Sequence, residues 1–412
     1  MFLLTKVLKK MIRRGTLTVI GPRGQRVEIG DGGEPRVTVR LHDTATINRI
    51  GLNPGVAVGE AYMDGRLTVE NATIYQLIEL AMMNASWGDI DFSTRLGALF
   101  RRVGRRIQQF NPVGRSKQNV AHHYDLSDQL YELFLDADRQ YSCAYFGSPS
   151  DTIDAAQERK KRHIAAKLRL EPGMRVLDIG SGWGGLGLYL AKTAGVEVLG
   201  CTLSEEQHKV SQARAKAQGL DGQVQFVLQD YRQLASQFDR IVSVGMFEHV
   251  GVNHYDAYFN KCRELLKRDG VALLHTIGRS DGPGTTNGWI RKYIFPGGYS
   301  PALSEILPVM ERQRLMVTDV EVLRLHYAET LKAWQERFQT NRDKVRALYD
   351  ERFCRMWEFY LAASEATFRY GGHAVFQVQF ARDVNTLPIT RDYMFEWERA
   401  HAPAAARDIA AD

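Results

Sequence analysis

Cysteine is scarce in this chain: 412 residues contain four, Cys143, Cys201, Cys262 and Cys354. None belongs to a CxxC pair, and the chain is no small secreted scaffold, so a disulfide framework is excluded and a reducing cytosol is expected. Metal-ligand spacing is missing as well, so no metal centre is expected. No apolar run is long enough to cross a bilayer, and the start, MFLLTKVLKKMIRRG, lacks the long apolar core and small-residue cleavage site of a signal peptide. Neither a spanning nor an exported chain is expected. Acid is the minority charge, 48 Asp and Glu against 54 Lys and Arg, for a net charge of +6. With no nucleic-acid-binding signature beside it, that bias points to an anionic membrane surface rather than to nucleic acid. There is no internal repeat. What is present, 44% hydrophobic and 25% charged residues over a length that suits two domains, is the composition of a globular enzyme.

The most informative stretch is VLDIGSGWG, Val176 to Gly184. An apolar run ends in Gly180, Gly182 and Gly184 and passes into the helix-compatible Leu186 to Ala194, the strand, turn and helix of a nucleotide-binding half-sheet. A dinucleotide fingerprint spaces its third glycine three residues after the second and places an acid at the end of the next strand. Here the glycines alternate, the acid Asp178 precedes them, and Glu197 starts the next strand rather than ending it. The alternating D-x-G-x-G-x-G turn resembles motif I of class I S-adenosylmethionine (SAM) methyltransferases. A tight glycine turn that holds no ligand would have the same sequence.

The rest of the chain reads as two units. Val7, Leu8, Met11 and Ile12 share helical spacing with Phe2, Leu3 and Leu4, and Lys6, Lys9, Lys10, Arg13 and Arg14 lie opposite. Such a helix either rests in an anionic lipid interface or packs on its own domain. Thr16–Ile20 and Gln25–Ile29 predict a hairpin, Pro35–Leu41 a further strand and Ile74–Met83 a helix, together a small α+β module. Ser93 to Gln118 reads as a basic, exposed linker. Strands are then predicted at Arg175–Ile179, Glu197–Cys201, Val224–Leu228, Arg240–Val244, Val271–His275, Val317–Leu325 and Ala374–Phe380. Helices fall between the early ones, and an antiparallel edge is expected near the end. Ser280–Pro308 and the aromatic-rich Leu331–Tyr370 break the alternation and are expected to cap the carboxyl ends of the strands.

Several further motifs fall in order: HHYDLSDQLYELFLD from His122, YSCAYF from Tyr141, TLSEEQ from Thr202, FEHVG from Phe247, HTIG from His275, FPGG from Phe295 and LHYAETL from Leu325. Together they resemble the cyclopropane-fatty-acyl-phospholipid synthase family, to which the mycolic acid cyclopropane synthases are related, from about Ala121 to Phe380. GEAYMDGRL at Gly59–Leu67 is similar to the lipid-binding domain of its full-length members. The resemblance implies a class I SAM-dependent methyltransferase, an α/β fold with a Rossmann-like seven-stranded sheet and helical cap, plus a small N-terminal α+β domain. The implied division is 1–115 for the lipid-binding domain and basic linker, 116–400 for the catalytic domain and 401–412 for a disordered tail.

Carried over residue by residue, the resemblance puts SAM on Tyr141, Ser142, Gly180, Gly182, Gly184, Thr202, Gln207, Asp230 and Tyr231. It puts a bicarbonate ion, held as a base, on Cys143, Glu248, His275, Tyr327 and the Ile277 backbone. By themselves Cys143 reads as a small buried apolar side chain, His275 as a satisfied core histidine and Tyr231 as part of a surface turn. Gln207 completes Ser204-x-x-Gln207, a capping box. A carboxylate placed like Glu248, just after the strand IVSVGM, needs a partner or a function. Phe247, Trp289, Tyr293, Phe295, Tyr299, Trp334 and Phe338 are available to line an acyl tunnel or to fill a core. Relatives commonly carry cysteine where this chain has Ser364, and the implied mechanism needs none. The implied activity is methylene transfer from SAM to a cis double bond of an unsaturated phospholipid acyl chain, with S-adenosylhomocysteine as the second product. A methyl-branched or methylene product of the same cation, a small-molecule N-methyltransferase and a catalytically dead lipid binder are the alternatives. A peripheral position on the inner face of the membrane is implied, and similar full-length enzymes are dimeric.

Overall fold

A computed structural model describes residues 2–85 and 127–403. The predicted basic linker, the first residues of the motif from His122 and most of the predicted tail lie outside the described residues. The N-terminal unit runs α1 (Phe2–Met11), β1 (Thr16–Ile20), β2 (Arg26–Gly30), β3 (Arg36–Leu41), α2 (Thr44–Leu52), α3 (Pro54–Met63), β4 (Leu67–Val69) and α4 (Ile74–Met83). Its sheet has the order β2-β1-β3-β4, with the predicted β1–β2 hairpin antiparallel and β3 parallel to β1. The pair α2 and α3 was not legible as periodicity. Asp43 starts α2 by accepting from the Thr46 amide at 2.7 Å, and Pro54 starts α3 in the first-turn position where its missing N–H costs nothing. On α1 and the three residues after it, Leu4 and Ile12 are buried in the core of this domain while Lys6, Lys9, Lys10, Arg13 and Arg14 are exposed. Leu4, Leu8 and Ile12 of the apolar stripe therefore pack on their own domain, while Val7 and Met11 are exposed.

The second unit begins with α5 (Asp128–Phe134) and α6 (Ile153–Leu168). It continues through β5 (Arg175–Ile179), α7 (Gly185–Ala194), β6 (Glu197–Thr202), α8 (Glu205–Ala217), β7 (Val224–Leu228), β8 (Phe238–Val244), α9 (Tyr255–Leu265) and β9 (Leu266–Arg279). After these come α10 (Gly288–Tyr293), α11 (Leu303–Arg312), β10 (Met316–Leu323), α12 (His326–Thr340), α13 (Arg342–Leu348), α14 (Glu351–Tyr370), β11 (His373–Ala381) and α15 (Asp392–Ala400). All seven predicted strands form one sheet of order β10-β11-β9-β8-β5-β6-β7. The antiparallel strand is β11, paired with both β9 and β10, so it lies one place in from the edge. The apolar faces of α6, α7 and α8 cover one side of the sheet and those of α9 and α11 the other. Among the described residues no helix is long and apolar enough to cross a membrane, and all four cysteines are buried and free.

The cap forms a third core in which α5, α12 and α14 bring Tyr131, Phe134, Trp334 and Trp357 together. It also joins the two units. Glu60 of α3 accepts from Lys292 Nζ at 2.6 Å and Tyr293 Oη at 2.9 Å, both on α10. Tyr62 Oη donates to Glu358 of α14 at 2.9 Å, and Arg352 Nε to Asp64 at 2.9 Å.

Candidate active site

The order reversal of a doubly wound sheet opens a crevice at the carboxyl ends of its strands, and here β5 is the switch point. Its last residue feeds Gly180, at φ +83°, where a side chain would collide with Met246. Gly182, at φ +53°, has nothing within 4 Å of where a Cβ would stand, so any larger residue would fill the crevice. Opposite, the segment Gln140–Ala144 is bolted in place. Gln157 Nε2 donates to the carbonyls of Gln140 and Ser142, and Lys160 Nζ to Gln140 Oε1 (2.7 Å) and Ser142 Oγ (2.8 Å). Lys160 is fully buried, and that burial lowers its pKa to about 8. Tyr141 stacks on Trp334 at 5.1 Å and pairs its hydroxyl with Tyr360.

Between these walls lies an outer cavity lined by Tyr141, Ser142, Gly180, Gly182, Thr202, Gln207, Asp230 and Tyr231. Eight of the nine residues expected around SAM are thus together. The ninth, Gly184, is not among the lining residues: at φ +82° its hydrogen faces Phe226 and Ser211, so this glycine lets α7 approach the sheet. Gln207 also departs from expectation. Ser204 Oγ accepts from the Gln207 amide (3.3 Å), but the Gln207 side chain pairs with Thr202 Oγ1 (3.0 Å) and leaves the capping box half made. Asp230 accepts from Arg232 Nε (2.9 Å) and Nη2 (2.6 Å). Asp178 lines the same cavity with Oδ2 buried and without a partner among the described residues, and burial pushes its pKa up to about 7.

A second, inner cavity is lined by Cys143, Glu248, His275, Ile277 and Tyr327, with Thr286, Ile290, Phe295 and Tyr299 from the segment around α10. All five residues expected around the base therefore meet. Glu248 arrives on a short turn after β8 that Phe247 anchors by stacking on Tyr255 at 4.3 Å. Its Oε1 accepts from the Ile277 amide at 2.6 Å, so that amide serves the carboxylate directly. Oε2 of Glu248 and Nε2 of His275 are buried without a partner among the described residues. Burial raises the Glu248 pKa to about 7 against the Ile277 hydrogen bond. Burial, then Lys160 and Lys167, hold His275 well below its usual range, and burial pushes the Cys143 thiol far up. At neutral pH the cysteine is a thiol, the histidine neutral, and Glu248 alone of these three near its titration point. The cavity measures about 100 Å³, less than the roughly 150 Å³ that holds a benzene. A small ion or the reacting atoms of a chain fit, and a whole lipid does not.

Tyr141, Ser142, Gly245 and His249 line both cavities. His249 was not singled out from sequence, although it stands beside Glu248 in FEHVG; burial lowers its pKa to about 4 and keeps it neutral. Of the aromatics expected along a tunnel, Phe295 and Tyr299 reach the inner cavity. Phe247, Trp334 and Phe338 are buried core, and Trp289 and Tyr293 face the N-terminal unit. Ser364 is on α14 and lines neither cavity.

A glycine turn closing the first strand of this seven-stranded sheet, with a crevice above it, defines a class I SAM-dependent methyltransferase. A mycolic acid cyclopropane synthase solved with SAH and CTAB superposes with a TM-score of 0.62 at 34% identity, over 66% of this chain and 99% of that one. The chain belongs to the mycolic acid cyclopropane synthetase family, whose model matches residues 113–378; a domain of unknown function matches 3–87. It is 38% identical over 369 residues to the cyclopropane-fatty-acyl-phospholipid synthase of Escherichia coli, covering 89% of this chain and 94% of that enzyme. It is 32% identical over 404 residues to the tuberculostearic acid methyltransferase of Mycobacterium tuberculosis, covering 92% of this chain and 90% of that one.

Proposed function

We propose that this enzyme transfers a methylene group from SAM to a cis double bond of a phospholipid acyl chain and closes a cyclopropane ring, with the donor in the outer cavity and the alkene in the inner one. The observation that carries this reading is the wall of four residues common to both cavities, where a methyl group passes from one to the other. When bound, SAM supplies a methyl group on a cationic sulfur and a bicarbonate ion supplies a base. The chain's own part is to position, to neutralise and to keep dry. Gly182 leaves room for the donor, and Asp178, whose Oδ2 has no partner among the described residues, lines the same cavity, where the donor's positive charge would favour its ionised form. An attacked alkene becomes a carbocation, which water would trap; Ile290, Phe295, Tyr299 and Tyr327 exclude water from it. One proton must leave the new methyl group as the ring closes. Beside that point Glu248 Oε2 accepts and His275 Nε2 donates, a pair matched to an anion that carries one O–H. Cys143, as a thiol, and Tyr327 complete the lining of the inner cavity, with the Ile277 amide acting through Glu248.

The N-terminal unit presents this site to lipid. Lys6, Lys9, Lys10, Arg13 and Arg14 are exposed around the partly exposed Val7 and Met11 on α1, a face suited to an anionic bilayer. The test is lipid mass spectrometry on cells that lack cyclopropane fatty acids, expressing either this chain or Glu248→Gln. Ring-containing acyl chains with the first and not the second are expected. A mass gain without the ring would favour a methyl-branched or methylene product, and methylation of a soluble amine with no change in phospholipids would overturn the assignment.

A further inference from the structure

Strand β11 is apolar except on one face, where Gln377 and Gln379 are almost completely buried. A buried amide destabilises the fold unless its polar atoms find partners, so each needs a reason. Gln379 has a structural one: its Nε2 donates to the Lys167 carbonyl (2.5 Å) and Tyr393 Oη (2.8 Å), and its Oε1 accepts from Thr318 Oγ1 (2.7 Å), which fastens α6 and β10 to β11. Among the described residues Gln377 fastens no such neighbours. It stands directly opposite His275 in the antiparallel β9–β11 register, with its Nε2 3.1 Å from His275 Nδ1 and its Oε1 unpartnered among the described residues.

A neutral imidazole carries one hydrogen, and a donor at one nitrogen leaves that hydrogen on the other. With the amide donating to Nδ1, the hydrogen is on Nε2, the atom buried beside the inner cavity without a partner among the described residues. The reversed amide would take the hydrogen to Nδ1 and leave an unpartnered NH₂ in place of one unpartnered carbonyl, and orphaned buried N–H groups are the rarer kind. The charged groups that act on this ring are Lys160, Lys167 and His163 of α6 and Glu321 of β10, with the cations disfavouring imidazolium.

We infer that Gln377 is a positioning residue that fixes His275 as the neutral Nε2–H tautomer, so that the inner cavity offers one hydrogen-bond donor beside one acceptor, Glu248 Oε2. The role in turnover rests on reading that cavity as the seat of an anionic base; the tautomer does not. Two near-isosteric variants separate the possibilities. An ionised Gln377→Glu only accepts and demands a hydrogen on Nδ1, and Gln377→Met does neither.

The experiment is ¹⁵N NMR of the ligand-free full chain labelled at histidine, with His275 assigned by substitution, alongside SAM calorimetry and turnover on unsaturated phospholipid vesicles. The parent is expected to show a protonated Nε2 and a bare Nδ1, Gln377→Glu the reverse or imidazolium, and Gln377→Met a mixture. Turnover should fall by about 100-fold in the Glu variant and about 10-fold in the Met variant, the range for loss of an outer hydrogen-bond partner, with SAM affinity unchanged. A hydrogen on Nδ1 in the parent, or one tautomer common to all three proteins, would overturn the assignment of Gln377. A changed tautomer with unchanged turnover would overturn its role in the reaction and the anionic-base reading with it. If the Glu variant does not fold, the Met variant alone decides, and an unchanged tautomer there overturns the inference.

Discussion

Glu248 is a carboxylate held where folding alone would not put it. Its displacement from the usual 4.5 to about 7 corresponds to roughly 3 kcal/mol against the ionised form. Because the folded pKa is raised, the penalty is absent below about pH 4.5, grows as pH rises and levels off above about pH 7. Glu248→Gln, which keeps an acceptor for the Ile277 amide, should therefore be the more stable protein at pH 8 and equal to the parent at pH 4, while losing most turnover and retaining SAM binding. Denaturant melts at the two pH values check the first part, and a parent more stable at pH 8 would contradict it. Residues of this kind were legible in the sequence because they sit inside strings: Gly180 and Gly182 in the glycine turn, Glu248 in FEHVG, His275 in HTIG. Lys160 and Gln377 were not singled out there, and Asp178 only as the acid of the glycine motif. Asp178 and Lys160 act through burial and Gln377 through its cross-strand register with His275, which residue type and spacing do not encode. Gly184 differs from the other motif glycines in that its hydrogen faces Phe226 and Ser211.

Among the elements, all seven strands of the catalytic sheet were legible because apolar runs bounded by turn residues are what a buried sheet requires. The position of β11 was not, since sheet order is set by packing rather than by local propensity. The helices α2 and α3 escaped for a different reason. They are short and joined at Asn53 and Pro54, so neither sustains a period, and their start signals are single residues. On α1 and the residues just after it the sequence left two readings, and the structure shows Leu4 and Ile12 turned inward and the basic residues outward. Deleting the helix would thus damage the domain. Replacing Lys6, Lys9 and Lys10 by Glu should leave the melting temperature unchanged and weaken binding to anionic vesicles by about 100-fold or more at low salt, at about 1 kcal/mol for each lysine near the surface. Vesicle sedimentation measures it, and undiminished binding would rule α1 out of the membrane contact.

Across the whole molecule, the N-terminal unit and the inner cavity touch the same short helix. Ile290 of α10 lines the cavity, while Lys292 and Tyr293 of α10 reach Glu60 of α3. Glu60 also accepts from Arg49 at 2.5 Å, and Glu60→Ala would leave all three donors without their shared acceptor. A loss of about 2 kcal/mol is expected, together with a larger rise in KM for phospholipid than for SAM, because the inner cavity and not the outer one rests on α10. Steady-state kinetics with each substrate varied in turn would detect it; equal changes in both KM values would mean that α10 does not carry the coupling. The central claim concerns what crosses the wall of Tyr141, Ser142, Gly245 and His249. It is tested most directly by supplying SAM with a fully deuterated methyl group to the purified enzyme and vesicles of a cis-unsaturated phospholipid, then recording NMR and mass spectra of the acyl product. A cyclopropane ring retaining two of the three deuterons is the result the two-cavity mechanism requires, and a product that keeps all three, or carries no ring, would contradict it.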